Sequence, residues 1–133
     1  MQYVLHADDD ALDRENLIFF IASFNRSIKI VGFSNGLELM QYLGTVPVHL
    51  LPCAIFLDLR MPIWDNIRTL KALQSDARYC AIKVYMWSTT DLQSEIDLSI
   101  RLGAVQFITK PQNAEEWISV NSFLSDQFQK LAV

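Results

Sequence analysis

Short apolar runs alternate along the whole chain with longer segments of helical period. Five runs have the length of a strand and are apolar enough to be covered on both faces of a sheet. These runs occupy residues 3–7, 28–33, 53–57, 82–87 and 104–109. After each run, apolar residues recur every three or four positions, as they do on the core-facing side of a helix. The alternation predicts five strand-helix units and a parallel sheet.

Each predicted helix carries one stripe of apolar residues. The stripes consist of Leu17, Phe20, Ile21 and Phe24 in the first helix, Leu39, Met40 and Leu43 in the second, Ile67 and Leu70 in the third, Ile96 and Ile100 in the fourth, and Trp117, Val120, Leu124, Phe128 and Leu131 in the fifth. Asp10 is expected to cap the first helix, because acidic groups are favoured at a helix N-terminus. Asn113 stands three residues before Glu116, a spacing that favours a cap on the fifth helix.

Polar residues directly follow or end four of the five predicted strands. They are Asp8, Asp9 and Asp10 after the first strand, Asp58 after the third, Ser88, Thr89 and Thr90 after the fourth, and Thr109 and Lys110 at the fifth. In a parallel α/β sheet the ligand site lies beyond the carboxyl ends of the strands, so these side chains are expected to gather at one edge. Neighbouring carboxylates raise each other's pKa unless a cation neutralises them. Mg²⁺ and the Lys110 ammonium are the natural cations here.

Asp58 is the candidate nucleophile at this edge. A carboxylate at the end of a buried strand can attack phosphorus to form an aspartyl phosphate. Mg²⁺ is typically held by one or two carboxylates together with phosphate oxygens, and Asp9, Asp58 and a backbone carbonyl would suffice to bind it. Phosphoryl transfer depends mainly on positioning and charge neutralisation, which Mg²⁺, Lys110 and the Ser88 hydroxyl can supply. The sequence therefore predicts a phospho-acceptor site that needs no separate general base.

Four short segments, each at the carboxyl end of a predicted strand, share a pattern with a known family. They are Ala7-Asp8-Asp9-Asp10, Asp58-Leu59-Arg60-Met61-Pro62, Trp87-Ser88-Thr89 and Phe107-Ile108-Thr109-Lys110-Pro111. In this order they resemble the receiver domain of two-component response regulators, the family that includes the single-domain chemotaxis regulator. The resemblance implies an α/β fold with a doubly wound, five-stranded parallel sheet of order 2-1-3-4-5 and five helices, the flavodoxin-like receiver fold.

The resemblance also implies a role for each residue of the predicted site. Asp58 resembles the phospho-acceptor, Asp8 and Asp9 the acidic pair around Mg²⁺, Arg60 the residue whose backbone carbonyl binds the metal, Lys110 the ammonium on the phosphoryl group, Ser88 the switch hydroxyl, and Phe107 the aromatic that turns inward when Ser88 moves. The implied phosphodonor is a sensor histidine kinase or a histidine phosphotransfer protein. The implied output is a contact with a protein target, which the sequence does not name.

The composition fits one small domain and argues against two classes of ligand. The chain has 133 residues, of which 51% are hydrophobic, so one compact domain is expected. The resemblance implies that residues 1–133 are one receiver domain, and no output domain is expected. There are 11 basic and 15 acidic residues, a net charge of −4, and no basic run, which argues against direct binding to nucleic acid. Its apolar stretches are shorter than the roughly 20 residues that cross a bilayer, so membrane insertion is not expected. No signal peptide is recognisable, and the expected location is the cytoplasm.

Several positions depart from the pattern of the family. Thr89 stands where receivers usually have Ala or Gly, and we expect its larger side chain to crowd the phosphoryl group. Arg60 could pair with an acidic neighbour, exclude the hydrolytic water or lie in solvent. Asn66 replaces a common Gly and is expected to adopt the positive φ of a turn. His6 is expected to be a hydrogen-bonded core residue of the first strand.

Two other functions remain open. A Mg²⁺-dependent phosphohydrolase of the haloacid dehalogenase type also uses an aspartyl nucleophile, but it needs a second Asp two residues later, where this chain has Arg60. A receiver-like interaction module that acts without phosphorylation is the stronger alternative. Such modules commonly lack the acceptor, an acidic residue or the lysine, and all of these are present here. The sequence therefore favours a phosphorylated signalling domain over an enzyme with a substrate of its own.

Overall fold

Five parallel strands form one sheet in the described part of the chain. The computed structural model describes residues 2–23, 27–89 and 92–131, with side chains up to Phe128. The strands are β1 (Tyr3–Ala7), β2 (Lys29–Phe33), β3 (Ala54–Leu57), β4 (Lys83–Ser88) and β5 (Gln106–Thr109). They lie in the order β2-β1-β3-β4-β5, and all neighbouring pairs are parallel. The sheet order implied by the resemblance is confirmed, and no predicted strand end is wrong by more than two residues.

Helices cover both faces of this sheet. They are α1 (Ala11–Ala22), α2 (Gly36–Leu43), α3 (Asn66–Ser75), α4 (Gln93–Arg101) and α5 (Ala114–Leu131), with a short 3-10 turn at Val48–Leu50. One apolar cluster packs α2 and α3 against one face, and a second packs α1 and α5 against the other. Successive strand residues point to opposite faces, so Val4 enters the α1–α5 cluster and Leu5 the α2–α3 cluster. This doubly wound architecture brings the carboxyl ends of the strands to one edge.

Most of the predicted core stripes are buried. The buried members are Leu17, Phe20, Ile21, Leu39, Leu43, Leu70, Leu124 and Phe128, and Met40, Ile67, Ile96, Trp117 and Val120 are partly buried. The prediction for Ile100 is wrong, because its side chain is 44% exposed and Ser99 occupies the buried position of α4. Phe24 and the side chain of Leu131 lie outside the described residues.

No described helix has both the length and the apolar character of a membrane span.

β2 is an edge strand and is not covered on both faces. It pairs with β1 alone, its Lys29 and Gly32 are exposed, and its other residues are only half-buried. An edge strand has a neighbour on one side only, so fewer helical residues cover it. The apolar run therefore predicted this strand correctly but overestimated its burial.

Side chains cap the helices that begin at the carboxyl edge of the sheet. The Asp10 carboxylate accepts from the amide of Leu12 at 2.8 Å, at the start of α1. The Asn113 side chain accepts from the amide of Glu116 at 2.9 Å, at the start of α5. Both predicted caps are confirmed, and a cap of this kind stabilises a helix by about 1 kcal/mol. The caps fix where α1 and α5 begin beside the polar strand ends.

The loop between β3 and α3 contains a strained residue. Ile63 has φ 66°, and among the described non-glycine residues it alone has a positive φ. Asn66, predicted to hold this conformation, is instead the first residue of α3, after the N-cap Asp65, whose carboxylate accepts the Arg68 amide at 3.0 Å. The prediction for Asn66 is therefore wrong. The left-handed backbone lies three residues earlier, on a branched side chain that tolerates it poorly.

Replacing Ile63 with glycine is expected to raise the free energy of unfolding by about 1 kcal/mol, because a left-handed L-residue costs roughly 1–2 kcal/mol. The Ile63 side chain is 69% exposed, so little apolar burial is lost. Urea unfolding measures the change. The matched control is Val48→Gly, which removes another exposed branched side chain from a backbone without positive φ and should lower stability. Equal losses for both variants would refute the assignment of strain to Ile63.

Candidate functional site

Three carboxylates meet at the carboxyl ends of β1 and β3. Asp8 and Asp9 directly follow β1, and Asp58 directly follows β3. The two strands are neighbours, and the Asp58 amide donates to the Ala7 carbonyl at 2.9 Å. One carboxylate oxygen of each aspartate lies within 4.8 Å of the others. The strand ends therefore converge as predicted, with Asp8 buried, Asp58 half-buried and Asp9 exposed.

Lys110 brings a positive charge to these carboxylates from the other end of the sheet. It follows β5, where its amide donates to the Ser88 carbonyl at 2.7 Å, and its side chain reaches past the ends of β4 and β3. The Nζ atom donates to Asp8 Oδ2 at 2.9 Å and lies 3.8 Å from Asp58 Oδ1. Only 9% of the Lys110 side chain is exposed, so solvent ions screen these charges weakly. The ammonium thus stands between the buried Asp8 and the candidate nucleophile.

Two residues of α1 that the sequence analysis missed also belong to the site. Asp13, in the first turn, accepts a hydrogen bond from Lys110 Nζ at 2.8 Å. Arg14 donates from Nη1 to the backbone carbonyl of Asp8. Their only signal in the sequence is a charged pair in the first turn of a helix that begins beside the acidic loop. That pattern is equally typical of a solvated surface, so the contacts could be recognised only in the folded chain.

Asp8 and Asp58, the two less exposed carboxylates of the site, differ in pKa. Burial raises the pKa of Asp58 from 3.8 to about 6, and the charge of Asp8 adds to the rise. Burial also acts to raise the pKa of Asp8, but the contact with His6 and hydrogen bonds from the Asp10 amide and Lys110 outweigh it and lower that pKa to about 2. At neutral pH Asp8 is therefore fully ionised. Asp58 is largely ionised but holds a proton far more readily than an ordinary aspartate.

His6 is buried beside Asp8. Neither of its ring nitrogens has a hydrogen-bond partner among the described residues. Its Nε2 lies 3.5 Å from Asp8 Oδ2, which is long for a hydrogen bond, so we ascribe the low pKa of Asp8 mainly to the Asp10 amide and Lys110. Burial lowers the pKa of His6 and favours the neutral ring. The predicted core position is confirmed, and the predicted hydrogen bonding is not.

Ser88 and Phe107 lie on neighbouring strands at the same edge. Ser88 is the last residue of β4, is buried, and is in register with Thr109 of β5. Phe107 stands opposite Met86 and packs in the α2–α3 cluster. Both residues therefore lie close to the ends of the strands that supply Asp58 and Lys110. Their roles as a switch hydroxyl and an aromatic reporter stay predictions.

Arg60 connects the loop after β3 to α4. Its Nη2 pairs with Glu95 Oε1 at 3.0 Å, and 76% of its side chain is exposed. Arg60 therefore both pairs with an acidic neighbour and lies largely in solvent, and exclusion of the hydrolytic water stays a prediction. An exposed pair of this kind contributes at most about 1 kcal/mol.

Of the two threonines predicted after the fourth strand, Thr89 is exposed, and Thr90 lies outside the described residues.

The donor set at this edge fits a hard divalent cation. Asp8, Asp9 and Asp58 offer only carboxylate oxygens, which Mg²⁺ prefers over nitrogen or sulfur. Lys110 neutralises their combined charge only in part, which leaves a local excess of negative charge for a cation. A half-buried carboxylate beside an ammonium suits nucleophilic attack on phosphorus.

Comparison with known families adds an independent observation. The sequence profile of the response regulator receiver domain matches residues 4–120, which include four whole strands, β1 from its second residue and every residue of the candidate site. The chain belongs to this family. As a receiver domain it is a component of two-component signalling, and the carboxylate cluster is the acidic pocket of that domain.

Individual relatives show how far the likeness extends. The receiver domain is 38% identical over 110 residues to a protein-glutamate methylesterase/protein-glutamine glutaminase of Halalkalibacterium halodurans, covering 81% of this chain and 30% of that protein. A receiver domain from Rhodospirillum rubrum has a TM-score of 0.80 at 28% identity, covering 96% of this chain and 93% of that chain. A phosphorylated cyanobacterial phytochrome response regulator shares the fold, with a TM-score of 0.80 at 23% identity and coverage of 94% and 91%. The chain spans between 24% and 35% of the length of the curated relatives it matches.

Proposed function

We propose that this receiver domain accepts a phosphoryl group on Asp58 and passes the change to a protein partner. The proposed donor is a sensor histidine kinase or a histidine phosphotransfer protein. The main support is the position of the Lys110 ammonium, 3.8 Å from the Asp58 carboxylate in a largely buried site. This distance is too long for a direct hydrogen bond, so the cation stands beside the Asp58 carboxylate without bonding to it, and Oδ1 accepts from the Leu59 amide at 2.8 Å.

The proposed reaction uses only groups of the site and the donor. An oxygen of Asp58 forms a bond to phosphorus while the bond between phosphorus and the donor atom breaks, and the leaving group keeps the electron pair. Because the pKa of Asp58 is about 6, the carboxylate is largely ionised at neutral pH and needs no base. The Lys110 ammonium neutralises part of the charge on the phosphoryl oxygens.

Mg²⁺ is the proposed cofactor. Asp8, Asp9 and Asp58 would hold it together with the backbone carbonyl of Arg60, since all of these are oxygen ligands. When bound, the ion neutralises charge on the transferring phosphoryl group. The three carboxylate oxygens within 4.8 Å of one another support this proposal, because such a group is costly without a cation.

Ser88 and Phe107 are the proposed route from the site to the surface. A phosphoryl group on Asp58 is a strong acceptor and would attract the Ser88 hydroxyl. Movement of Ser88 would change the packing around Phe107 on the paired strand and alter the face formed by α4, β5 and α5. The burial of both side chains and the pairing of β4 with β5 support this route. The contact between Arg60 and Glu95 is a second link, from the loop after Asp58 to α4.

A hydrolase with its own substrate is a weaker candidate function for the same site. Arg60 occupies the position of the second catalytic aspartate, and a guanidinium cannot act as a general acid-base at neutral pH. The match covers only about a third of the curated relatives, so the activity in their names does not support a hydrolase function for this chain. The remaining alternative is an interaction module that acts without phosphorylation. The following experiment distinguishes it from a phosphorylated receiver.

Incubation with Mg²⁺ and acetyl phosphate, followed by measurement of intact mass, tests the proposal. We expect the wild-type chain to gain the mass of one phosphoryl group and the same chain in EDTA to gain none. Tryptophan fluorescence gives a second readout, because Trp87 is buried in β4 directly before Ser88. No labelling, together with no fluorescence response to Mg²⁺ or beryllofluoride, would reject the proposal in favour of the interaction module.

A further inference from the structure

Asp13 makes a contact with Lys110 that helix formation does not require. Its Oδ2 lies 2.8 Å from Lys110 Nζ, as close as the buried Asp8. An acidic residue at this position of a helix often bonds back to the amide of the N-cap residue. Here the N-cap is Asp10, and its amide donates to Asp8 Oδ1 at 3.0 Å instead. The Asp13 carboxylate is thus directed to the ammonium.

The two carboxylates together fix the direction of the Lys110 ammonium. An ammonium has three N–H groups, and Asp8 and Asp13 accept one each. The remaining group is available on the side of Asp58, whose Oδ1 is 3.8 Å away. With Asp8 alone, the flexible lysine could close this gap and bond directly to Asp58. Asp58 Oδ1 already accepts from the Leu59 amide at 2.8 Å, so a bond from Lys110 would add a second donor to the carboxylate and lower its reactivity further.

We propose that Asp13 is a positioning residue for phosphoryl transfer. Together with Asp8 it holds the Lys110 ammonium off the Asp58 carboxylate, so that one N–H faces the incoming phosphoryl group and Asp58 Oδ1 accepts from the Leu59 amide, at 2.8 Å, without a second bond from the ammonium. This inference rests on the proposed phosphorylation of Asp58 and adds a residue to its machinery. The simpler alternative is that Asp13 only adds a favourable negative charge to the start of α1.

The test compares Asp13→Asn with Glu15→Gln. Each variant removes one negative charge from α1, but Glu15 is exposed on that helix and is not among the hydrogen-bond or ion-pair partners of Lys110. The first readout is the initial rate of labelling by acetyl phosphate at saturating Mg²⁺. We expect Asp13→Asn to lower this rate about tenfold, because a misplaced catalytic group is costly, and Glu15→Gln to leave it within about twofold.

The second readout follows the ammonium itself, in metal-free protein without phosphodonor. The Nζ resonance of Lys110 is recorded with isotope-labelled lysine and assigned with Lys110→Arg. We expect Asp13→Asn to shift this resonance and Glu15→Gln to leave it in place. We also expect Asp58→Asn to perturb the resonance more in the Asp13→Asn background than in wild type, because the ammonium then lies closer to Asp58.

A third variant, Asp13→Glu, returns a carboxylate to this turn and keeps the test valid should Asp13→Asn fail to fold. We expect it to recover the Lys110 resonance and more than half of the lost rate. If wild type is labelled but Asp13→Asn and Glu15→Gln have equal rates and equal Lys110 resonances, the positioning role is overturned while phosphorylation stands. If wild type is not labelled at all, the proposed function fails, and the positioning role fails with it.

Discussion

Replacing Asp58 with asparagine is expected to stabilise the metal-free protein by about 2 kcal/mol at neutral pH. Burial and the charge of Asp8 disfavour the ionised carboxylate, yet the folded protein must hold it in this form. A pKa raised from 3.8 to about 6 corresponds to about 3 kcal/mol. We reduce this figure because 14% of the Asp58 side chain is exposed and solvent screens part of the charge. Asparagine keeps the shape and removes the charge.

The stabilisation by Asp58→Asn should be larger at neutral pH than at acidic pH. Because the native pKa of Asp58 lies above its unfolded value, the stability that its protonation contributes is fully present below pH 3.8 and is lost as the pH rises through about 6. The advantage of Asp58→Asn is therefore largest at neutral pH and shrinks as wild type becomes protonated. Urea unfolding in EDTA at about pH 7 and about pH 4.5 measures the difference.

Glu15→Gln, which removes an exposed carboxylate, is the control for this measurement and should change stability by less than about 0.5 kcal/mol. Saturating Mg²⁺ should stabilise wild type more than Asp58→Asn, because the variant offers one carboxylate fewer. Equal stability of Asp58→Asn and wild type in EDTA at neutral pH would show that the ionised Asp58 carboxylate does not destabilise the folded protein.

Replacing Lys110 with methionine is expected to have the opposite effect on stability. The change leaves the fully buried Asp8 carboxylate without its cation, and Asp13 and Asp58 lose the same partner. Removing one member of a buried ion pair typically costs about 3–5 kcal/mol. We expect about 3 kcal/mol, because the Asp10 amide continues to donate to Asp8. Labelling of Asp58 by acetyl phosphate should slow about 100-fold, as when one donor to a developing charge is removed.

Urea unfolding in EDTA and initial labelling rates measure the two effects of Lys110→Met. The control is Lys71→Met, at an exposed lysine of α3, which should alter neither quantity appreciably. The double variant with Asp58→Asn should regain part of the lost stability, because it also removes one of the carboxylates that Lys110 neutralises. A loss below about 0.5 kcal/mol for Lys110→Met would mean that the ammonium is not needed to balance Asp8.

Much of the fold could be predicted from local pattern, and the sheet order could not. Alternating apolar runs and helical stripes located every strand to within two residues. The order of the strands depends on contacts between distant segments, and it came from the resemblance. Ile100 was misplaced because α4 turns Ser99 to the core and satisfies its hydroxyl by donation to the Glu95 carbonyl. A buried serine of this kind breaks the apolar stripe on which the prediction relied.

The site could be predicted in part because its acidic residues stand at strand ends. Asp8, Asp9 and Asp58 are brought together by the pairing of β1 with β3 alone. Asp13 could not be found in this way, since its partner is 97 positions further along the chain.

The backbone of the loop after β3 was also beyond prediction from sequence. Ile63 takes the left-handed conformation although isoleucine has little intrinsic preference for it, while Asn66, a better candidate, begins α3. Local preference therefore does not decide the backbone at either position. Both residues belong to the segment that connects Asp58 to α3, and backbone strain is most often retained near functional sites.

The most direct test of the central claim is to locate the phosphoryl group within the chain. Wild-type protein is labelled with acetyl phosphate and Mg²⁺, reduced with borohydride to convert an aspartyl phosphate to homoserine, digested, and sequenced by mass spectrometry. We predict homoserine at position 58, with Asp8, Asp9 and Asp13 unmodified. Homoserine at another aspartate, or an unmodified Asp58 in protein that has gained a phosphoryl group, would contradict the assignment of Asp58 as the acceptor.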